Sequence, residues 1–167
     1  MMIEATKLIN LPVAAEDTLA KAGEIRQIVI DPENGRVLGF LVSGGIFSKP
    51  LALSIVDIKF WDPQGLVTTY EKNLVPPSEI VRIKVVLDKK INLLNLPAQT
   101  ESGKPLGRVE DFLIDTETEC IVKYYLRDLL GKSRIMPADK VISIDKTIVF
   151  TDDEGEITSG VVETQTA

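Results

Sequence analysis

Apolar residues in this chain fall in short, β-branched runs separated by turn residues. The run from Glu24 to Ile30 ends directly on Asp31-Pro32-Glu33-Asn34-Gly35. Asp at the first turn position, Pro at the second and a Gly able to take positive φ predict a type I hairpin turn with a bulge. A second strand is predicted from Arg36 to Ser43, leaving through Gly44-Gly45. Ile58 to Trp61 and Leu66 to Thr69 flank Asp62-Pro63-Gln64-Gly65, another turn signal. Further along, Cys120, Val122, Tyr124 and Leu126 share one face of a predicted strand, and Ile121, Lys123, Tyr125 and Arg127 the other. Strict alternation assigns the first set to the core. Short strands at this spacing predict an all-β fold with minor helix, of the small-barrel kind.

The pattern repeats. Asn10-Leu11-Pro12 returns as Asn95-Leu96-Pro97, a shift of 85. Gly23 to Glu33 aligns with Gly107 to Glu117 at a shift of 84, as does Val37 to Val42 with Ile121 to Leu126. Ser54 to Ile58 matches Lys140 to Ile144 at 86. Apolar positions stay in phase throughout, so the chain reads as two tandem copies of a unit of roughly 75 to 80 residues. The predicted division is repeat 1 over 1–78, an apolar linker or short helix over 79–94, repeat 2 over 95–155 with part of the linker, and a flexible tail over 156–167.

Between the copies, Glu79 to Lys89 places Ile80, Ile83 and Leu87 on one helical face. Val81 to Val85 also alternates like a strand, and Ser78 to Ile83 echoes Asp139 to Ile144. A short helical or turn segment is favoured, closing the first barrel and bridging to the second. Residues 74–94 are too rich in Leu, Ile and Val for a free tether. They are predicted to pack into a fixed interface, with the barrels related by approximate two-fold symmetry.

Composition then narrows the chemistry. The 167 residues include no histidine and one cysteine, Cys120. Histidine-based triads and general bases are excluded, as are multi-Cys metal knuckles and an internal disulfide framework. Nineteen Lys and Arg against 25 Asp and Glu give a net charge of -6, which disfavours a general nucleic-acid binder. Aromatics are only 5%, so Ile, Leu and Val must build the core. The first residues lack a basic region followed by an apolar run. The longest uncharged stretch, residues 37–48, is too short and too Gly-broken for a span of about twenty residues. A cytoplasmic location without direct membrane insertion is expected.

The Gly, apolar run, Asp-containing turn, second apolar strand and later Ile-Val-x-Ile element resemble the PRC-barrel. That small β-barrel occurs in the photosynthetic reaction-centre H subunit and in the C-terminal half of the small-subunit ribosome maturation factor. The matching segments are Gly23 to Val42 with Ser54 to Ile58, and Gly107 to Leu126 with Lys140 to Ile144. The second copy departs at Glu119, where the first has Gly35. The resemblance implies docking or scaffold modules and brings no shared catalytic residues.

Each chemical candidate meets a plainer alternative. Asp115, Glu117 and Glu119, or Asp152, Asp153 and Glu154, supply the oxygens a hard cation takes. Their spacing lacks a calcium-loop pattern, and a solvated hairpin and polar tail suffice. Cys120 reads as a buried, inert thiol rather than a nucleophile. Ser43-Gly44-Gly45 lacks the Lys and spacing of a phosphate cradle and reads as a flexible connection. Trp61 reads as a core or barrel-closing aromatic. The candidate interaction surface is Lys123, Tyr125 and Arg127 on the outward parity, with Lys132 and Arg134 in the following loop. Interleaved cations and an aromatic can hold phosphate and stack a base. A solvated edge protected by Lys and Arg explains them as well.

The function expected is therefore a non-enzymatic adaptor that docks another protein or complex, with no catalytic residue, cofactor or metal. Alternatives are an accessory role in RNA processing or ribosome assembly, reached through a ribonucleoprotein, and peripheral docking on the cytoplasmic face of a membrane complex. A homo-oligomer is compatible with each.

Overall fold

The computed structural model describes residues 1–45, 48–152 and 155–158. The chain opens with β1 (Met2–Glu4) and the one-turn helix α1 (Ala5–Leu8). The first copy then builds β2 (Pro12–Ala15), β3 (Ala20–Ile30), β4 (Val37–Ser43), β5 (Leu51–Ser54), β6 (Ile58–Asp62) and β7 (Gly65–Thr68). Helix α2 (Val81–Asp88) bridges to β8 (Pro97–Thr100), β9 (Pro105–Asp115), β10 (Cys120–Arg127), β11 (Ser133–Pro137), β12 (Val141–Ile144), β13 (Ile148–Phe150) and β14 (Glu156–Thr158).

The two copies have one topology. The first sheet runs β5-β4-β3-β2-β7-β6 and the second, read in the same sense, β11-β10-β9-β8-β13-β12. In each, the first strand pairs in parallel with the last-but-one partner, β2 with β7 and β8 with β13, and the other pairs are antiparallel. A single 3-10 turn, Ile55–Asp57 or Ala138–Lys140, joins the two ends of each sheet, β5 to β6 and β11 to β12. The sheet therefore curls onto itself around an aliphatic centre. Asn10 and Asn95 both sit at φ +70°, and each donates its N–H to the carbonyl across the sheet, Ile25 at 2.8 Å and Val109 at 2.7 Å. The repeated Asn-Leu-Pro is thus one left-handed corner used twice.

The copies interlock by exchanging their leading segments. β1 pairs with β9 of the second copy, Ile3 opposite Ile114. Past it, the Thr6 N–H donates to Asp111 Oδ1 at 3.0 Å. Reciprocally, α2 lies on β3 and β4 of the first copy, and Gln27 Nε2 donates to the Ile91 carbonyl at 3.5 Å. Gln27 and Asp111 are equivalent positions, as are Thr6 and Ile91, so these contacts are images under a pseudo-two-fold. At the axis the hairpin turns meet: Val37 N–H donates to Glu119 O (2.8 Å) and Ile121 N–H to Gly35 O (3.0 Å).

Residues 74–94 are no free tether. Ile83, Val86, Ile91 and Leu93 are buried in one continuous apolar cluster that draws on both copies. Gly39 makes this possible, because a Cβ there would stand 2.9 Å from Ile83 Cδ1 and 2.2 Å from the Leu53 carbonyl oxygen. With α2 on one face and the barrel interior on the other, every residue of β4 is buried. Arg82 fastens the helix to the first turn, 3.0 Å from the buried Asp31 carboxylate.

Several expectations need correction. The face holding Cys120, Val122, Tyr124 and Leu126 is not uniformly inward. A β-bulge at Val122, between the pairs Ile121–Ile114 and Lys123–Leu113, reverses the parity upstream of it. Ile121, Tyr124 and Leu126 are buried, Val122 is exposed and Cys120 is only half-buried, its Sγ donating to Thr118 O at 3.3 Å. The first copy carries the same bulge at Leu38. Glu119 does not alter its turn, because it adopts φ +58° where Gly35 has +70°. The tail begins as structure: residues 156–158 form β14 against β11. Asp153, Glu154 and residues 159–167 lie outside the described residues.

Candidate interaction surface

The outward residues of β10 and their neighbours form the site the sequence singled out. Lys123 Nζ stands 5.5 Å from the centroid of the half-buried Tyr125 ring, a cation–π contact. Arg127 pairs with Glu110, Nη2 to Oε1 at 2.8 Å. Lys132 is exposed in the loop, where its N–H donates to Asp128 Oδ1 at 2.8 Å. Arg134 is misplaced by the sequence reading: it sits in β11 opposite Leu126 and is only 6% exposed. A groove of about 450 Å³ lies along this face, its lining including Glu4, Thr6, Glu110, Asp111, Tyr125 and Ile135. Cations here face carboxylates, so the surface is amphipathic with mixed charge, unlike the one-signed stripe that tracks a phosphate backbone.

The same face of the first copy is closed. There the positions equivalent to Lys123, Tyr125 and Arg127 are Gly39, Leu41 and Ser43, all buried, with Gly39 packed against Ile83 of α2. In the second copy α1 is only one turn long and lies along β9, leaving the outer side of β10 and β11 uncovered among the described residues.

A second feature went unread in the sequence. The loop joining β10 and β11 presents Leu129 and Leu130, 102% and 95% exposed, beside a cleft of about 740 Å³. Two adjacent leucines between Asp128 and Gly131, both turn formers, were the available signal.

The remaining candidates serve local structure. Asp115 Oδ1 accepts from the Glu117 N–H (2.9 Å), the hydrogen bond of an Asx turn. Asp152 Oδ1 accepts from the Ser102 N–H (2.9 Å), which holds its carboxyl below the usual carboxylate range. Ser43 Oγ donates to Gly45 O at 2.7 Å and fixes the start of its loop. Trp61 packs edge-on to Phe40 with centroids 5.4 Å apart. Tyr124, equivalent to Phe40, is fully buried beside Phe112 and Phe150, and burial pushes its phenol well above the ordinary range.

Two tandem barrels of one topology match the PRC-barrel domain family model, over residues 1–74 and again over 91–157. The chain belongs to the PRC-barrel family. Each match spans one copy, and the break between them falls on the segment that carries α2. PRC-barrel domains generally serve as protein-interaction modules and are generally non-catalytic. No curated protein matches the chain. No helix among the described residues is long and apolar enough to cross a membrane.

Proposed function

We propose that this PRC-barrel protein is a non-enzymatic adaptor whose second barrel docks another protein through the outer face of β10 and β11. The observation that carries this reading is the asymmetry between otherwise equivalent copies. One face is sealed by α2, and its counterpart is open, grooved and furnished with Tyr125, Lys123 and Arg127. An aromatic with a polar rim is the usual anchor of a protein interface. Carboxylates at Glu4, Glu110 and Asp111 around the groove favour a protein partner over RNA, whose phosphates they would repel.

Affinity purification of the wild-type chain and of Tyr125→Ala from the native host, with quantitative mass spectrometry, tests the reading. Loss of an anchoring Tyr weakens binding by roughly thirtyfold, so a partner recovered with the wild type should fall to background with the variant. Equal recovery with both would place the docking surface elsewhere. Recovery of no reproducible partner with either would contradict the adaptor role.

A further inference from the structure

The segment that covers the outer face of the first copy continues directly from that copy's last backbone pairing. Val75 and Ala52 exchange hydrogen bonds at 2.7 and 3.0 Å, and Ala52 lies opposite Leu41 of β4. Five residues after Val75, Ile80 packs on the apolar cluster, and eight residues after it Ile83 fills the space over Gly39. The second copy repeats the start of this path. Glu156 of β14 pairs with Ile135 of β11, which lies opposite Tyr125, the equivalent of Leu41. Gly155 sets the approach at φ +69°, where a Cβ would stand 2.5 Å from the Ile135 carbonyl oxygen. Glu156 therefore corresponds to Val75, and β14 ends with Thr158 opposite Ser133, a residue of the groove.

Residues 159–167, which follow, lie outside the described residues, and their sequence keeps the count. Ser159 stands three after Glu156 as Ser78 stands three after Val75. Val161 then falls at the position of Ile80, Val162 at that of Val81 and Thr164 at that of Ile83. Bulk has moved from the cover to the sheet: Thr164 answers to Ile83, while Lys123, Tyr125 and Ile135 replace Gly39, Leu41 and Ala52. Small residues over large ones fill a contact as well as large over small. Glu163 also brings a carboxylate towards Lys123, whose ammonium stands over the Tyr125 ring and makes no ion pair among the described residues.

We propose that residues 159–167 are the cover of the Tyr125 face, seating Val161 and Val162 against Tyr125 and Ile135, so that a docking partner must displace them. The competition rests on the docking role proposed above; the seating does not.

Backbone ¹⁵N relaxation of the purified full chain tests the seating with no partner present. Order parameters over Val161 to Thr164 should approach the value of about 0.85 found in rigid backbone, against less than about 0.6 for a free segment. Tyr125→Ala and Val161→Asp should each lower them to the free range, whereas Leu130→Asp, at the neighbouring tip, should not. A segment seated about nine-tenths of the time weakens a competing partner roughly tenfold, so Val161→Asp should raise partner recovery in the affinity purification by up to that factor. Free-range order parameters in the wild type would overturn the proposal, as would a rigid segment indifferent to Tyr125→Ala. Partner recovery unchanged by Val161→Asp would refute the competition and leave the seating in place. Absence of any partner would refute the docking role alone, with the relaxation result still deciding the seating.

Discussion

Replacing Ile83 by Ala probes whether α2 is part of the first barrel or merely lies beside it. Ile83 is fully buried, and its Cδ1 occupies the space left by the missing side chain of Gly39. Ile→Ala in a core costs about 2 to 5 kcal/mol, depending on how far the site collapses. Collapse is poor here because the facing surface is backbone: the Leu53 carbonyl lies only 2.2 Å from where a Gly39 Cβ would stand. The expected loss is therefore in the middle to upper range, about 3 to 4 kcal/mol. For a chain of this size that lowers the melting temperature by about 6 to 16 °C. Urea unfolding followed in parallel by fluorescence and far-UV circular dichroism gives the decisive comparison. The single tryptophan, Trp61, reports the first copy, whereas the dichroism reports both. With one continuous apolar cluster and exchanged leading segments, both signals should shift together. A loss below about 1 kcal/mol, or a fluorescence transition that moves while much of the dichroism change stays in place, would refute the reasoning.

Three further outcomes follow from named contacts. Tyr124 is held neutral by burial and its folded pKa is raised, so its contribution is complete below the ordinary value of 10.0 and is lost as pH rises beyond it; Tyr124→Phe should retain far-UV dichroism to higher pH than the wild type, and identical alkaline midpoints would sink the idea. Glu119 pays for its left-handed backbone where the first copy has Gly35, so Glu119→Gly should stabilise the fold by about 0.5 to 1 kcal/mol in denaturant titration; a clear destabilisation would show that the Glu119 side chain carries an unseen role. Asp31→Ala removes both the Glu33 N–H acceptor and the Arg82 partner and should cost about 1 to 2 kcal/mol, whereas Arg82→Ala, at a 71% exposed side chain, should cost under about 1 kcal/mol in the same titration.

What was legible in the sequence is what local chemistry dictates. The Asp31 to Gly35 turn, the strands beside it and their second occurrence follow from turn residues and β-branched runs, and all recur in the structure. The linker's helix prevailed over its strand-like alternation because Ile83 and Val86 find a sheet to cover. What escaped depends on partners distant in sequence. The bulge at Val122 arises from register against β9, so alternation alone assigned Cys120 and Val122 to the core. Arg134 read as a loop residue, although Met136 two residues on shares its buried parity in β11. β1 and β14 are three residues each, too short to carry a period, and exist only by pairing with β9 and β11. Of the candidate surface, Lys123, Tyr125 and Arg127 were placed on the correct face. The exposure of Leu129 and Leu130 is set by the hydrogen bonds of the Asp128 turn, which no hydrophobic period announces.

The open outer face of the second barrel is proposed to dock a protein. Cross-linking mass spectrometry on the unmodified chain in its native host tests it directly, because the face carries its own amine handles. Lys123 stands over the Tyr125 ring and Lys132 lies in the loop that follows β10, while Lys21, Lys59 and Lys72 are spread over the first copy as internal controls. Reproducible links from Lys123 or Lys132 to one partner protein, weakened by Tyr125→Ala, are expected. Links to that partner confined to Lys21, Lys59 or Lys72, and unchanged in the variant, would contradict it.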